Sequence, residues 1–270
     1  MTSQYETKRL ITFDRIKIKS NYKYLLATKV KFNEMFHSRS GERIGIFYSS
    51  KDDINISYNL YIAVSYVKQT LTLEFSSKIL KEKYPDLISR DTIKECLTNI
   101  NQLNICDIDV DSILSNGAIT SVDVTYDANL ILSDNLLDAL NSQVNNYRRF
   151  KWAHYDKEGI MFTKDVKSKD CTETITLYNK EKEICTSHNK DFLNSLSQPQ
   201  SVIDYFKEKT RVEITLDTPK KIMKYLNLTD TKIFSVLNSD TNPILAQFDK
   251  VFGNSTANMP NTTFDDYENW

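Results

Sequence analysis

The sequence predicts an α+β protein, a largely antiparallel central sheet with flanking helices. Two features of the chain lead there. Short stretches that alternate apolar and polar residues outnumber those with helical spacing, and most neighbouring stretches are too close together for a crossover helix between them. The composition agrees: 40% hydrophobic and 26% charged residues in a chain of 270 are globular values, enough for a core without staples.

The elements follow in order. Ile11 to Ile18 alternates, Leu25 to Phe32 is β-branched and half apolar, and Ile44 to Tyr48, Tyr58 to Val67 and Thr70 to Phe75 continue the series of strands. After Ser89-Arg-Asp-Thr92 the spacing changes, with Ile93, Cys96, Leu97 and Ile100 on one helical face. Ile119 to Tyr126 alternates again behind Gly117, and a helix from about Ser133 carries Leu136, Leu137, Leu140 and Val144. Thr174 to Tyr178 and Arg211 to Leu216 read as strands. A helix from about Thr218 has Pro219 in its first turn and Ile222, Met223 and Leu226 on one side. No repeat or Gly/Ser/Pro linker divides the chain, so residues 1–253 are expected to form one domain, beginning with a basic strand region at 1–48. Residues 254–270 are expected to be a mobile acidic tail.

Charge is polarised along the chain. The formal net charge is −1, yet residues 1–48 hold ten basic and four acidic residues, and residues 101–142 hold seven Asp and no basic residue. With only five glycines a phosphate-cradling glycine loop has almost nowhere to sit. Four scattered cysteines without Cys-x-x-Cys spacing, and three histidines, argue against zinc and for reduced thiols. No apolar run is long enough for a membrane span, so a soluble cytoplasmic protein without a membrane partner is expected.

Three segments could carry chemistry. In Val122-Asp-Val-Thr-Tyr-Asp127, Asp123 sits on a strand between apolar neighbours, and in Arg211-Val-Glu-Ile-Thr-Leu216, Glu213 sits in the same way. If the strands are neighbours, the two carboxylates can converge on one Mg²⁺ or Mn²⁺, which take hard oxygen ligands. The third, Ile175-Thr-Leu-Tyr-Asn-Lys-Glu-Lys-Glu183, runs from a strand into a turn with Lys180 and Glu183. Singly, each is as well explained by a solvated strand face or an ordinary Asn turn.

In this order the segments resemble the rolling-circle replication initiators: the transposon- and plasmid-type Rep_trans proteins and the phage and plasmid replication proteins of the gene II/X class. Thr70 to Leu80, a strand running into a helix, resembles the unit that precedes the acidic strand in those proteins, so the similarity spans about Leu71 to Leu216. The resemblance implies a fold related to the nicking-endonuclease (HUH/Rep) sheet. It also implies a phage or plasmid replication initiator that cuts one strand at an origin with a tyrosine, leaving a 5′-phosphotyrosine and a free 3′-OH, aided by a carboxylate-bound divalent metal. By the family's pattern the metal carboxylates match Asp123 and Glu213, with Asp127 behind them. Lys180 matches a lysine that stabilises the phosphate, and Glu183 an acid after it. The chain departs from the pattern where the nucleophile is expected: Met161 stands about where the tyrosine belongs, in Gly159-Ile-Met-Phe-Thr163. Tyr155 is then the first candidate and Tyr147 the second. A His-hydrophobic-His pair is also missing.

Tyr147-Arg-Arg-Phe-Lys-Trp152 interleaves aromatic and basic residues, suited to phosphate contact and base stacking or, equally, to the end of an amphipathic helix. The expected DNA-binding set is Arg148, Arg149, Lys151 and Trp152, with Arg211 from the Arg-Val-Glu segment. Implied partners are origin DNA, duplex and single-stranded, and host helicase and polymerase. The oligomeric state is left open, a dimer among the choices. The alternative is a non-catalytic DNA-binding replication regulator on the same fold.

Overall fold

The computed structural model describes residues 11–53, 55–143, 150–155, 159–164, 174–244, 246 and 248, with backbone alone at 141–143, 150–155 and 162–164. In chain order they form β1 (Phe13–Asn21), β2 (Leu25–Thr28), β3 (Asn33–Phe36), β4 (Arg43–Ser49), β5 (Leu60–Ser65), β6 (Thr70–Ser76), α1 (Ile93–Gln102), β7 (Cys106–Ile108), α2 (Val110–Asn116), β8 (Ala118–Ala128) and α3 (Asp134–Gln143). Then come β9 (Phe150–Tyr155), β10 (Gly159–Lys164), β11 (Thr174–Asn179), α4 (Lys180–Ile184), α5 (Ser187–Asn194), α6 (Pro199–Tyr205), β12 (Thr210–Leu216), α7 (Pro219–Tyr225) and α8 (Ile233–Leu237). Ten strands make one sheet in the order β3-β4-β5-β6-β1-β8-β12-β11-β10-β9, and β2 pairs with β7 in a second, two-stranded sheet. Every pairing is antiparallel, as the close spacing of the strands predicts.

One face of the large sheet is apolar. Ile16 and Ile18 of β1, Leu71, Leu73 and Phe75 of β6, Val122 and Val124 of β8, and Ile214 and Leu216 of β12 are all buried in one core. Helices seal it: α1 inserts Ile93, Cys96, Leu97 and Ile100, α7 inserts Ile222, and α8 inserts Ile233, Val236 and Leu237. Burying one such aliphatic side chain stabilises the fold by about 1.5–3 kcal/mol. Capping sets where helices begin. The Ser133 hydroxyl accepts from the Leu136 N–H ahead of α3, and the Thr218 hydroxyl accepts from the Lys221 N–H at the start of α7.

The opposite face is polar, and a smaller core lies against part of it. Tyr84, Ile184, Phe192, Leu196, Val202 and Phe206 form this cluster, supplied by α4–α6 and by the 3₁₀ segment Ser77–Asp86 that follows β6. β1 is irregular between Phe13 and Arg15, where its register against β8 shifts. Asp14 is the extra residue, and such a bulge re-aims a side chain.

One expected strand lies elsewhere. Leu25 to Phe32 shortens to β2 and leaves the main sheet for β7: only Leu25 packs partly on the core, and residues 26–28 are exposed. The Phe150–Tyr155 stretch, readable as a helix end, is strand β9 at the sheet's edge. The tail at 254–270 lies outside the described residues.

Candidate active site

β8 and β12 are neighbours, with Glu213 opposite Thr125 and Thr215 opposite Asp123. Directly opposed residues share a face and alternate residues return to it, so Asp123 and Glu213 are diagonal neighbours on the polar face, about 7–8 Å apart at the backbone. The two strands are neighbours and the two residues share a face. The Asp123 carboxylate is fully engaged: Arg15 Nε donates to Oδ2 at 2.7 Å, Arg15 Nη2 to Oδ1 at 3.0 Å, and the Thr215 hydroxyl to Oδ1 at 2.8 Å. Arg15 Nη1 also donates to Glu74 Oε1 at 2.9 Å, and Lys17 holds the other Glu74 oxygen at 2.7 Å. Burial alone would raise the Glu74 carboxyl, but Lys17 and Arg15 hold it below the usual carboxylate range.

Glu213 is different. Its Oε1 accepts from the Tyr178 hydroxyl at 2.9 Å. Burial, and then the charge of Asp14, push its carboxyl up to about 7 against the opposing influence of Arg211 and Lys180. A tyrosine hydroxyl therefore reaches Glu213, and it belongs to Tyr178. Burial, reinforced by Glu213, keeps that phenol well above the ordinary tyrosine value.

Behind this pair lies a buried charge network. Arg211 is fully buried, with Nε and Nη2 on Asp127 at 2.6 and 2.8 Å and Nη1 on Asp14 at 3.0 Å and the Tyr84 hydroxyl at 2.9 Å. Asp14 also accepts from the Ser77 hydroxyl at 2.5 Å. Burial would raise the Asp14 carboxyl, yet Arg211, Lys180 and Ser77 hold it below the usual range. Lys180, buried at the start of α4, pairs with Glu183, which Asn189 Nδ2 also contacts at 2.9 Å. Burial, and then Arg211, lower the Lys180 ammonium below the usual lysine value. Its Nζ sits 5.5 Å from the Tyr178 ring centroid and 5.2 and 5.4 Å from those of Tyr84 and Phe206. Asn179 caps α4 through the Lys182 N–H, which sets Lys180 at the helix start.

Two expectations change. Arg211, expected as a DNA contact, is withdrawn from the surface and holds Asp127 and Asp14 together. Asp127, expected behind the metal site, has both carboxylate oxygens on Arg211. Tyr147, Arg148 and Arg149 lie outside the described residues, and Lys151, Trp152 and Tyr155 fall in β9, where the backbone alone is described. That backbone places Tyr155 in a cross-strand row with Gly159, Tyr178, Arg211 and Asp127, but β9 is three strands from β12, about 14 Å at the usual spacing. Met161 lies in the row of Thr176 and Glu213, two strands from β12. Gly159 matters for Tyr178: a Cβ there would stand 2.5 Å from the Leu177 carbonyl oxygen and 2.7 Å from Tyr178 Cβ. Sequence reasoning missed Asp14, Arg15 and Tyr84. The one available signal was two successive charged residues, Asp14 and Arg15, interrupting the alternation of β1.

The Asp123 and Glu213 carboxylates and the Thr215 hydroxyl share this face with the Arg15 guanidinium; their oxygens are of the kind Mg²⁺ or Mn²⁺ takes, but Arg15 holds Asp123. Among the described residues no group of three or more His, Cys, Asp and Glu converges as a metal cluster.

Residues 86–235, more than half of the chain, match the Phage_CRI family, described as the N-terminal part of a replication-associated protein. The chain belongs to this family. Membership in Phage_CRI bears out the resemblance to gene II/X-type rolling-circle initiators drawn from the motif order. The match spans Asp123, Asp127, Tyr178, Lys180, Glu183, Arg211 and Glu213, and stops short of the strands that bring Asp14, Arg15 and Glu74 to them. No curated protein matches the chain in sequence. Among solved structures, the chain is similar to a rolling circle replication initiator protein from Geobacillus stearothermophilus, at 12% identity over 77% of this chain and 74% of that one, with a TM-score of 0.38. No helix among the described residues is long and apolar enough to cross a membrane.

Proposed function

We propose that this Phage_CRI-family protein initiates rolling-circle replication by nicking one strand of origin DNA, with Tyr178 as the nucleophile and Asp123 and Glu213 as ligands of Mg²⁺ or Mn²⁺. The observation that carries the reading is the 2.9 Å hydrogen bond from the Tyr178 hydroxyl to Glu213, on the face shared with Asp123. The Tyr178 oxygen attacks phosphorus, the bond from phosphorus to the 3′ oxygen breaks, and a 5′-phosphotyrosine and a free 3′-OH result. Glu213 Oε1, which accepts the Tyr178 hydrogen bond, takes the phenolic proton and passes it to the leaving 3′ oxygen, while its other oxygen stays free for the cation. A bound divalent ion would neutralise charge building on the phosphate. Lys180, buried beneath the aromatic cluster, acts on the phenolate through its charge rather than by touching DNA. Tyr155 is less well placed because three strand spacings separate its backbone from β12.

The test uses supercoiled plasmid carrying the replicon's origin, incubated with Mn²⁺ and resolved on a denaturing gel. The wild-type chain is expected to give a covalent protein–DNA band and Tyr178→Phe none, while Tyr155→Phe keeps it. A band that survives in Tyr178→Phe overturns the assignment. The reading as a non-catalytic DNA-binding regulator is favoured by one observation, the full engagement of Asp123 by Arg15. It predicts DNA binding with no covalent band from any variant.

A further inference from the structure

Both oxygens of Asp123 are taken by a single side chain from a strand outside the family-matched segment. Arg15 stands directly opposite Asp123 in the β1–β8 register and grips it with Nε and Nη2 at 2.7 and 3.0 Å. That fork and the Thr215 hydroxyl take three of the roughly four lone-pair sites of the Asp123 carboxylate, and the guanidinium repels a cation that approaches the fourth.

We propose that Arg15 is a DNA-phosphate-binding residue of this site, and that its transfer from Asp123 to a backbone phosphate is what opens Asp123 to the divalent cation. The proposal rests on Asp123 being a cation ligand. Four features support it. A guanidinium fork matches phosphate as well as carboxylate, so the exchange keeps two parallel hydrogen bonds. The Arg15 side chain is 23% exposed, so it lies at the solvent boundary of the polar face and not in the core. Nη1 rests on Glu74, which Lys17 holds in turn, and Nη2 on the Ser121 hydroxyl at 3.2 Å, so the face offers a guanidinium that leaves Asp123 other oxygen partners. Ser76, directly across from Arg15 on β6, has a buried hydroxyl with no partner, and opposed residues lie within reach of a displaced guanidinium.

The charges explain why the two ligands need each other. Metal alone would set a dication beside Arg15, and DNA alone would leave Asp123 unpaired beside Glu213. Together, phosphate pairs with Arg15 and the cation with Asp123. DNA and metal therefore bind with positive coupling, and by linkage each tightens the other by the same factor.

Mn²⁺ binding to the full chain, followed by electron paramagnetic resonance of the free ion, tests this without reference to nicking. A short single-stranded oligothymidylate is expected to tighten Mn²⁺ binding by about tenfold, with Mn²⁺ tightening oligothymidylate equally. Arg15→Gln is expected to bind Mn²⁺ without DNA as tightly as wild type does with it, whereas Lys19→Gln, which removes an exposed charge farther along β1, keeps the DNA dependence. The wild-type comparison needs no variant to fold. If wild type binds Mn²⁺ equally with and without oligothymidylate and Asp123→Ala abolishes that binding, the cation reading stands and the role of Arg15 falls. If Mn²⁺ binding is unchanged in Asp123→Ala, or absent throughout, the cation reading fails and takes this proposal with it.

Discussion

Arg211 carries a fully buried guanidinium that holds the Asp127 and Asp14 carboxylates at once. It opens the Arg-Val-Glu segment and invites assignment to DNA, yet its guanidinium is enclosed and satisfied by Asp127, Asp14 and Tyr84. Removing one member of a buried ion pair strands the other, at a cost of about 3–5 kcal/mol. Arg211→Ala is therefore expected to lose that much in urea unfolding near neutral pH. Lysine cannot replace the fork and should rescue only part of the loss. The pH dependence has a definite sign. Asp14 titrates below its ordinary range in the folded chain, so in acid the unfolded chain binds more protons. Its contribution is present above the usual carboxylate pKa, about 4, and is lost as pH falls through the lower folded value. The gap between wild type and Arg211→Ala should accordingly narrow below about pH 4. A gap that stays constant would remove Asp14 from the account.

At the level of elements, alternation was a good guide where a strand has one apolar and one polar face. β1, β4, β5, β6, β8, β11 and β12 all sit where the pattern put them, give or take their ends. It failed where that contrast is absent: β3 exposes three of its four residues, β7 has three residues, and the aromatic and basic side chains of β9 suggested nucleic-acid contact instead. The candidate site divides in the same way. Asp123, Glu213, Lys180 and Glu183 stood out because each lies in a short motif. Asp14 and Arg15 did not, because they meet their partners 197 and 108 residues away, across a sheet whose strand order no local pattern states. Tyr178 was visible in Tyr-Asn-Lys, but only the register of β11 against β12 brings its hydroxyl to Glu213. That register leans on β10 approaching closely at Gly159. Gly159→Ala should force β10 away from β11, because backbone and Cβ atoms cannot yield as a flexible side chain would. The expected cost is about 1–3 kcal/mol in thermal or urea unfolding, with a drop in covalent adduct formation beyond what the stability loss explains. An unchanged melting profile would show that the sheet does not depend on the close β10–β11 approach at Gly159.

Over the whole molecule, a net charge of −1 hides opposed blocks that partly neutralise each other by direct contact. Arg15 and Lys29 of the basic segment reach Asp123 and Asp107 of the acidic one. The same long-range pairing decides what can fold alone. Residues 86–235 match the Phage_CRI family and contain both proposed metal carboxylates, Tyr178 and Lys180, so a fragment with those limits looks like a minimal catalytic unit. The sheet argues otherwise. β1 lies between β6 and β8, and without it β8 becomes an edge with unpaired backbone groups and an apolar flank. Phe13, Ile16 and Ile18 are fully buried, and losing all three removes about 5–9 kcal/mol at 1.5–3 kcal/mol each. That loss is comparable with the 5–15 kcal/mol that holds a typical domain together. Asp14 and Arg15 leave with the same strand, so Arg211 and Asp123 each lose an ion-pair partner. The 86–235 fragment is therefore expected to lack cooperative unfolding and to expose apolar surface, read by circular dichroism melts and dye binding. A cooperatively melting fragment would show that β1 is an addition to the family's fold, not a strand the fold requires.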